Sequence, residues 1–339
     1  MKPPEQRQSI YDPEEPSDDD DLWFMPGPLA EDTGLLPPLP RAGPSESDQI
    51  GDWVRAEAAN AARLARVAAR LGALDDRLLR GPEGWRHRLA LVEASALSWF
   101  AGGRVTEDRL GLWIALRTGS VQEDPVALQR AGWAMRRLSG GPGLDGGVAA
   151  FLGRTSGTDD RFADWDNLIS QAMTLHPITR AAFAFHLWHL ASEGIGADPL
   201  EAAIIACRMA LAEGQGGALF APIAMGGTAG LRAQGAPETR IPIWLDAMER
   251  SLLTAMRLLD QIEEWQVRAE TATTDLSGRT PGMLIETLRD WPYISAPMAD
   301  SLTGASRAAV QRNFLELERR GLASEVTGHG RFRIWRASL

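Results

Sequence analysis

From Asp52 the chain repeats apolar residues at intervals of three and four, with Val54, Ala58, Ala61, Leu64, Val67 and Leu71 recurring before Gly72. Apolar positions at that spacing share one face of a 3.6-residue helix, so the run predicts an amphipathic helix. The same period predicts helices over 83–100, 106–117, 124–138, 162–174, 177–193, 198–213 and 238–270. Gly/Pro breaks such as "SGGPGLDGG" (139–147) part them. Period-two alternation, the mark of a half-buried strand, is missing from 50–270, and no solenoid period recurs there. Residues 50–274 therefore read as one all-helical domain.

The pattern changes after the turn-rich joint "DLSGRTPG" (Asp275–Gly282). "PGMLIETLRDWP" predicts a helix that ends before Pro292, and "SAPMADSL" predicts a second, shorter one. "SRAAVQRNFLELERRG" predicts a third, stopped by Gly321. "LASEVT" and "RFRIWRA" then read as two strands around a Gly-His-Gly turn. Three helices and a hairpin predict a winged helix-turn-helix over 278–339. The expected fold class is mainly α, a helical bundle domain followed by this module.

Residues 1–48, rich in Pro, Asp, Glu and Ser, cannot bury enough apolar surface to offset chain entropy, which predicts a disordered acidic tail. Within it "DDDDLWFMPGPL" places Trp23, Phe24 and Met25 behind four acids. Two readings stand side by side: a docking segment for a protein partner, or a tail laid on the surface. One cysteine, Cys207, permits no intrachain disulfide and suits a reducing compartment. No apolar run reaches the roughly 18 to 20 residues that span a bilayer, and the N-terminus lacks the charged and apolar regions of a signal peptide. The expected setting is cytoplasmic and nucleoid-associated, with no membrane contact.

Charge sharpens the picture. The net charge is −10, yet residues 1–50 hold twelve acids against three bases while 278–339 hold nine arginines against six acids. A basic terminal module on an acidic chain points to double-stranded DNA as partner. In its third helix Val310, Phe314 and Leu317 form the inward stripe, and Ser306 is placed to cap the first turn. Arg307, Ala308, Gln311 and Arg312 fall on the opposite face, near the end that a recognition helix presents to the major groove. Arg can bond guanine bidentately, Gln adenine, and Ala can touch a thymine methyl. Thr303 and Ser306 are expected at phosphates. On the hairpin, His329 sits at the tip, Arg331 and Arg333 alternate outward, and Phe332, Ile334 or Trp335 pack back.

Other chemistry is weaker. His186, His189 and Glu193 share a helical face at metal-ligand spacing, but in "AFAFHLWHLASEG" the apolar setting favours packed histidines. "AMGGTAG" (224–230) lacks the Lys of a phosphate loop and reads as a plain turn. Cys207 reads as an inert buried thiol. Around "EASALSWF", Arg86, His87, Arg88, Glu93 and Arg104 are either a concave site or, the favoured reading, an ion pair between helices. No nucleophile–base pair stands out, so no catalytic residue, metal or cofactor is expected.

"SGRTPGMLIETLRDWPYISAPMADSLTGASRAAVQRNFLELERRGLASEVTGHGRFRIW" resembles the C-terminal helix-turn-helix of an uncharacterised bacterial family, often plasmid-encoded, in which a domain of unknown function precedes it. The resemblance extends through "GPEGWRHRLALVEASALSWFAGGRVTEDRLGLW" and "LHPITRAAFAFHLWHL", and implies DNA binding and regulation. More distantly, "EASALSWFAGGRVT" and His176-Pro177 are similar to segments of the Fic family, which transfers AMP-type groups to protein hydroxyls. Phe100 and Ala101 stand where that family carries its Ile-Glu, and no Gly-Asn-Gly-Arg follows His176 at the right spacing, which implies a catalytically silent relative. The expected function is that of a sequence-specific DNA-binding regulator acting as a homodimer, with no enzyme activity. The alternatives are an interaction subunit in chromosome or plasmid maintenance and, remotely, a Fic-like nucleotidyl transferase.

Overall fold

The computed structural model describes residues 46–116, 124–154, 160–188, 198–211, 214, 216–328 and 333–339. Helices dominate: α1 (Glu46–Ala59), α2 (Ala61–Arg80), α3 (Glu83–Phe100), α4 (Glu107–Leu116), α5 (Pro125–Ser139), α6 (Val148–Leu152) and α7 (Asp160–Gln171) come first. They are followed by α8 (Pro177–His186), α9 (Pro199–Met209), α10 (Ala229–Arg232) and α11 (Pro237–Ala272). Asp124 and Asp198 cap α5 and α9, each accepting from first-turn amides ahead of a proline at the first position.

The single helix expected from Asp52 to Gly72 is two. Asn60 leaves helical geometry (φ −108°, ψ 13°), and its side-chain amide donates back to the Ala56 carbonyl at 2.9 Å. The break re-aims the apolar stripe, so Trp53 and Ala56 enter the core while Val54, Ala58 and Ala61 face solvent. Beyond it Leu64, Val67 and Leu71 are buried as the period predicts, and Gly72 does not stop the helix, which runs on to Arg80.

Two helices organise the body. α3 is buried nearly all round and packs chiefly on α5. α11, at 36 residues, is about 54 Å long at 1.5 Å per residue. Its Trp244, Leu245, Leu252, Leu259, Ile262 and Trp265 face inward. α2 lies parallel beside it, joined by Arg63–Asp246 (3.3 Å), Arg66–Glu249 (2.9 Å), Arg70–Glu249 and Arg77–Asp260 (2.7 Å).

The chain then forms α12 (Thr280–Asp290), β1 (Ile294–Ser295), α13 (Ala296–Thr303), α14 (Arg307–Arg319), β2 (Ala323–Glu325) and β3 (Ile334–Ala337). The strands make an antiparallel sheet in the order β1-β3-β2, with Ile294 opposite Trp335 and Ala323 opposite Ala337. β1 is an addition to the expected hairpin. Phe314 of α14 stacks on Trp335 of β3, ring centroids 4.4 Å apart and planes 3° off parallel.

These terminal elements share one compact unit with the helical body. Arg88 of α3 is 6% exposed, and its Nη2 donates to the carbonyls of Leu288 (3.0 Å), Arg289 (3.2 Å) and Trp291 (3.0 Å) at the end of α12. A guanidinium there meets both the unpaired carbonyls and the negative pole of the helix. Gly84 allows the approach, since a Cβ would sit 1.9 Å from the Asp290 carbonyl oxygen. The Trp265 indole N–H donates to the Leu322 carbonyl at 2.9 Å. Among the described residues no helix is long and apolar enough to cross a membrane.

Candidate nucleic-acid interface

α13 ends on Gly304 in the left-handed region (φ 62°), and the chain re-enters helix at Ser306, whose Oγ accepts from the Ala309 amide at 3.4 Å. Val310, Phe314 and Leu317 are buried as their spacing predicts. Arg307, Ala308, Gln311 and Arg312 are all exposed, on one face with Leu315 and Arg319.

The two ends of α14 differ electrically. At the C-terminal end Arg319 pairs with Glu316 (2.7 Å), and Arg320 pairs with Glu316 (2.7 Å) and Asp275 (2.6 Å). Those guanidiniums hold the Glu316 and Asp275 carboxyls at about 2. At the N-terminal end Arg307, Gln311 and Arg312 form no hydrogen bond or ion pair among the described residues. Two uncompensated positive charges and the free amides of a helix start therefore share one exposed surface.

Thr303 does not join it. The residue is 4% exposed, its hydroxyl donates to the Ala299 carbonyl at 2.7 Å and accepts from the Ala305 amide at 3.2 Å. A hydroxyl that closes the last turn of α13 from inside cannot also reach a phosphate, which corrects the expectation. On the hairpin, Arg333 is half-buried, and its Nε is buried with no hydrogen-bond partner. Of the residues expected to pack back, Ile334 and Trp335 are described, and both are buried. His329, Arg331 and Phe332 lie outside the described residues, as do Trp23, Phe24 and Met25. Arg336, which the sequence did not single out, pairs with Asp108 of α4; Asp108 also accepts from the Tyr293 hydroxyl at 2.5 Å.

The polar group around "EASALSWF" does not assemble as one site. Arg88 points to α12, His87 lies against Trp291 with centroids 5.1 Å apart, and Arg104 is exposed at φ 51°. Glu93, fully buried, makes no ion pair among the described residues. Its carboxylate accepts from the amides of Ile223 (2.9 Å), Ala224 (2.8 Å) and Met225 (2.9 Å), with the Cys207 thiol 3.7 Å away. Burial raises the Glu93 carboxyl above its ordinary range, against the pull of those amides. Burial first, then Glu93, raises the Cys207 thiol well above its ordinary value, so it stays protonated and unreactive. The segment at 224–230 is thus held from within, and two of its amides are already committed to a carboxylate. Asp75 anchors the same stretch upstream, accepting from the Ala218 amide at 2.6 Å.

The histidines at the two ends of α8 also take structural places. His176 caps α8, its Nδ1 accepting from the Ile178 amide at 3.2 Å. His186 sits among Trp53, Phe185 and Trp244, where burial and Arg240 hold its imidazole at about 4. His189 and Glu193 lie outside the described residues, among which no group of three His, Cys, Asp or Glu side chains could hold a metal. No protein-family model matches this chain, and none of the curated proteins matches it.

Proposed function

We propose that residues 278–339 are a winged helix-turn-helix and that the chain is a DNA-binding regulator whose α14 enters the major groove by its N-terminal end. The element order helix, strand, helix, helix, strand, strand, with β3 between β1 and β2, supports the scaffold. One observation carries the binding: the arginines at the start of α14 are exposed and have no ion-pair partner among the described residues, whereas those at its end are neutralised by carboxylates. In this reading Arg307 and Gln311 address base edges, Ala308 offers a methyl contact, and Arg312, the Ser306 turn and the wing arginines meet the backbone. The helical body supplies the dimer contact that sets half-site spacing and performs no chemistry.

A second reading, a docking module for protein, draws on Leu302 and Leu315, which are 49% and 44% exposed near the same surface. Fluorescence anisotropy of the intact chain on a duplex selected from a random pool separates the two. DNA binding predicts affinity that falls steeply with salt, and Arg307→Ala with Gln311→Ala costs about 1–3 kcal/mol of sequence preference per lost base contact. Affinity that ignores salt and survives both substitutions removes α14 from the reading role.

A further inference from the structure

A cavity of about 320 Å³ lies where the helical body meets the terminal elements. Its walls include His87 from α3, Ile114 and Ala115 from α4, Trp291 and Tyr293 from the α12–β1 connection, and Met298 from α13. The seam is built to stay close: a Cβ on Gly111 would lie 2.4 Å from the Tyr293 ring. Tyr293 is held in place by its hydrogen bond to Asp108, so one aromatic wall is pinned rather than free to collapse inward.

From this geometry we infer that the cavity is a binding site for a small, uncharged, planar aromatic molecule. Volume sets the size. A cavity of about 150 Å³ lined by apolar side chains accepts benzene, so roughly twice that volume admits a two-ring system, within the usual range for ligand pockets. Chemistry sets the polarity. The walls are mainly aromatic and aliphatic, and among the described residues that line the cavity none is a carboxylate, lysine or arginine, so a charged ligand would go uncompensated. His87 supplies the orienting contact. Its ring lies against Trp291, and neither nitrogen hydrogen-bonds to any described residue. Burial lowers the His87 pKa, so the ring is neutral at physiological pH and offers one donor and one acceptor. A heteroaromatic ring nitrogen can engage either. Because Met298 belongs to α13, an occupant would touch the helix that precedes α14 in the chain.

The test is isothermal titration calorimetry on the intact chain, with quinoline and indole as probes and no DNA present, so the result stands apart from whether α14 reads a duplex. Saturable one-to-one binding of either probe is expected. Ala115→Trp fills the cavity from an exposed helical position and weakens binding by about tenfold or more. His87→Phe keeps a ring against Trp291 but removes both nitrogens, and lowers affinity several-fold. Circular dichroism confirms that each variant remains helical. Absence of saturable binding by both probes, or affinity unchanged in either variant, overturns the assignment.

Discussion

Replacing Arg88 by Met would isolate how the terminal elements are held to the body. In the native chain a single Nη2 serves three carbonyls, at 3.0, 3.2 and 3.0 Å, so its two hydrogens make about two strong charge-assisted bonds. Methionine retains an apolar stem in the gap between α3 and α12, but orphans those carbonyls at a cost of about 1–3 kcal/mol each. Against this, Arg88 Nε is buried without a partner, and burial has already lowered its pKa to about 10. Removing an under-satisfied cation returns part of the loss. The net expectation is a destabilisation of about 2–3 kcal/mol, or roughly 3–4 °C in melting temperature for a chain of this size. Differential scanning calorimetry reads it directly, and a terminal module that has come loose would show as an early second transition. A melting temperature within about 1 °C of wild type, with one cooperative transition, would refute the view that this residue ties the two parts together.

Two other outcomes follow from the buried and paired carboxylates. Glu93→Ala leaves the Ile223, Ala224 and Met225 amides without their acceptor, and at about 1–3 kcal/mol per buried donor it should cost a large part of the total stability; Glu93→Gln, which keeps one carbonyl oxygen but turns an N–H toward a donor, should fall between in urea unfolding. Glu316 and Asp275 have folded pKa values near 2, below their unfolded ones, so their contribution is complete above the ordinary carboxylate range and is lost as pH falls toward about 2. Acid unfolding followed by near-UV circular dichroism should therefore show wild type losing stability as pH falls toward about 2, by an increment that Arg320→Met reduces, and a wild-type curve superposable on the variant's would contradict the pairing.

Where a feature was local, the sequence disclosed it. The Ser306 cap and the Val310, Phe314 and Leu317 stripe need only the residues of one helix, and the structure has them as spaced. The Asp-Pro pairs at 124–125 and 198–199 mark helix starts for the same reason. Features that depend on distant partners stayed hidden. β1 is two residues long, too short to show alternation, and exists because β3 pairs with it across 40 residues. The bonds of Glu93 lie 130 to 132 positions away, though an acid set within "LALVEASAL" does signal a buried carboxylate that must find donors. Asn60 shows the opposite failure, a polar residue inside an unbroken apolar period whose side chain outcompetes the helix locally.

The length of α11 has a mechanical meaning. It packs against α1, α2, α10 and α12, and its far end holds the indole that reaches Leu322 beside β2. Over about 54 Å, a tilt of one degree displaces the far end by about 1 Å, comparable to the interface shifts that switch bistable proteins. The helix thus joins, in one continuous element, the packing of the N-terminal helices and the hydrogen bond to Leu322, so a tilt at one end is felt at the other.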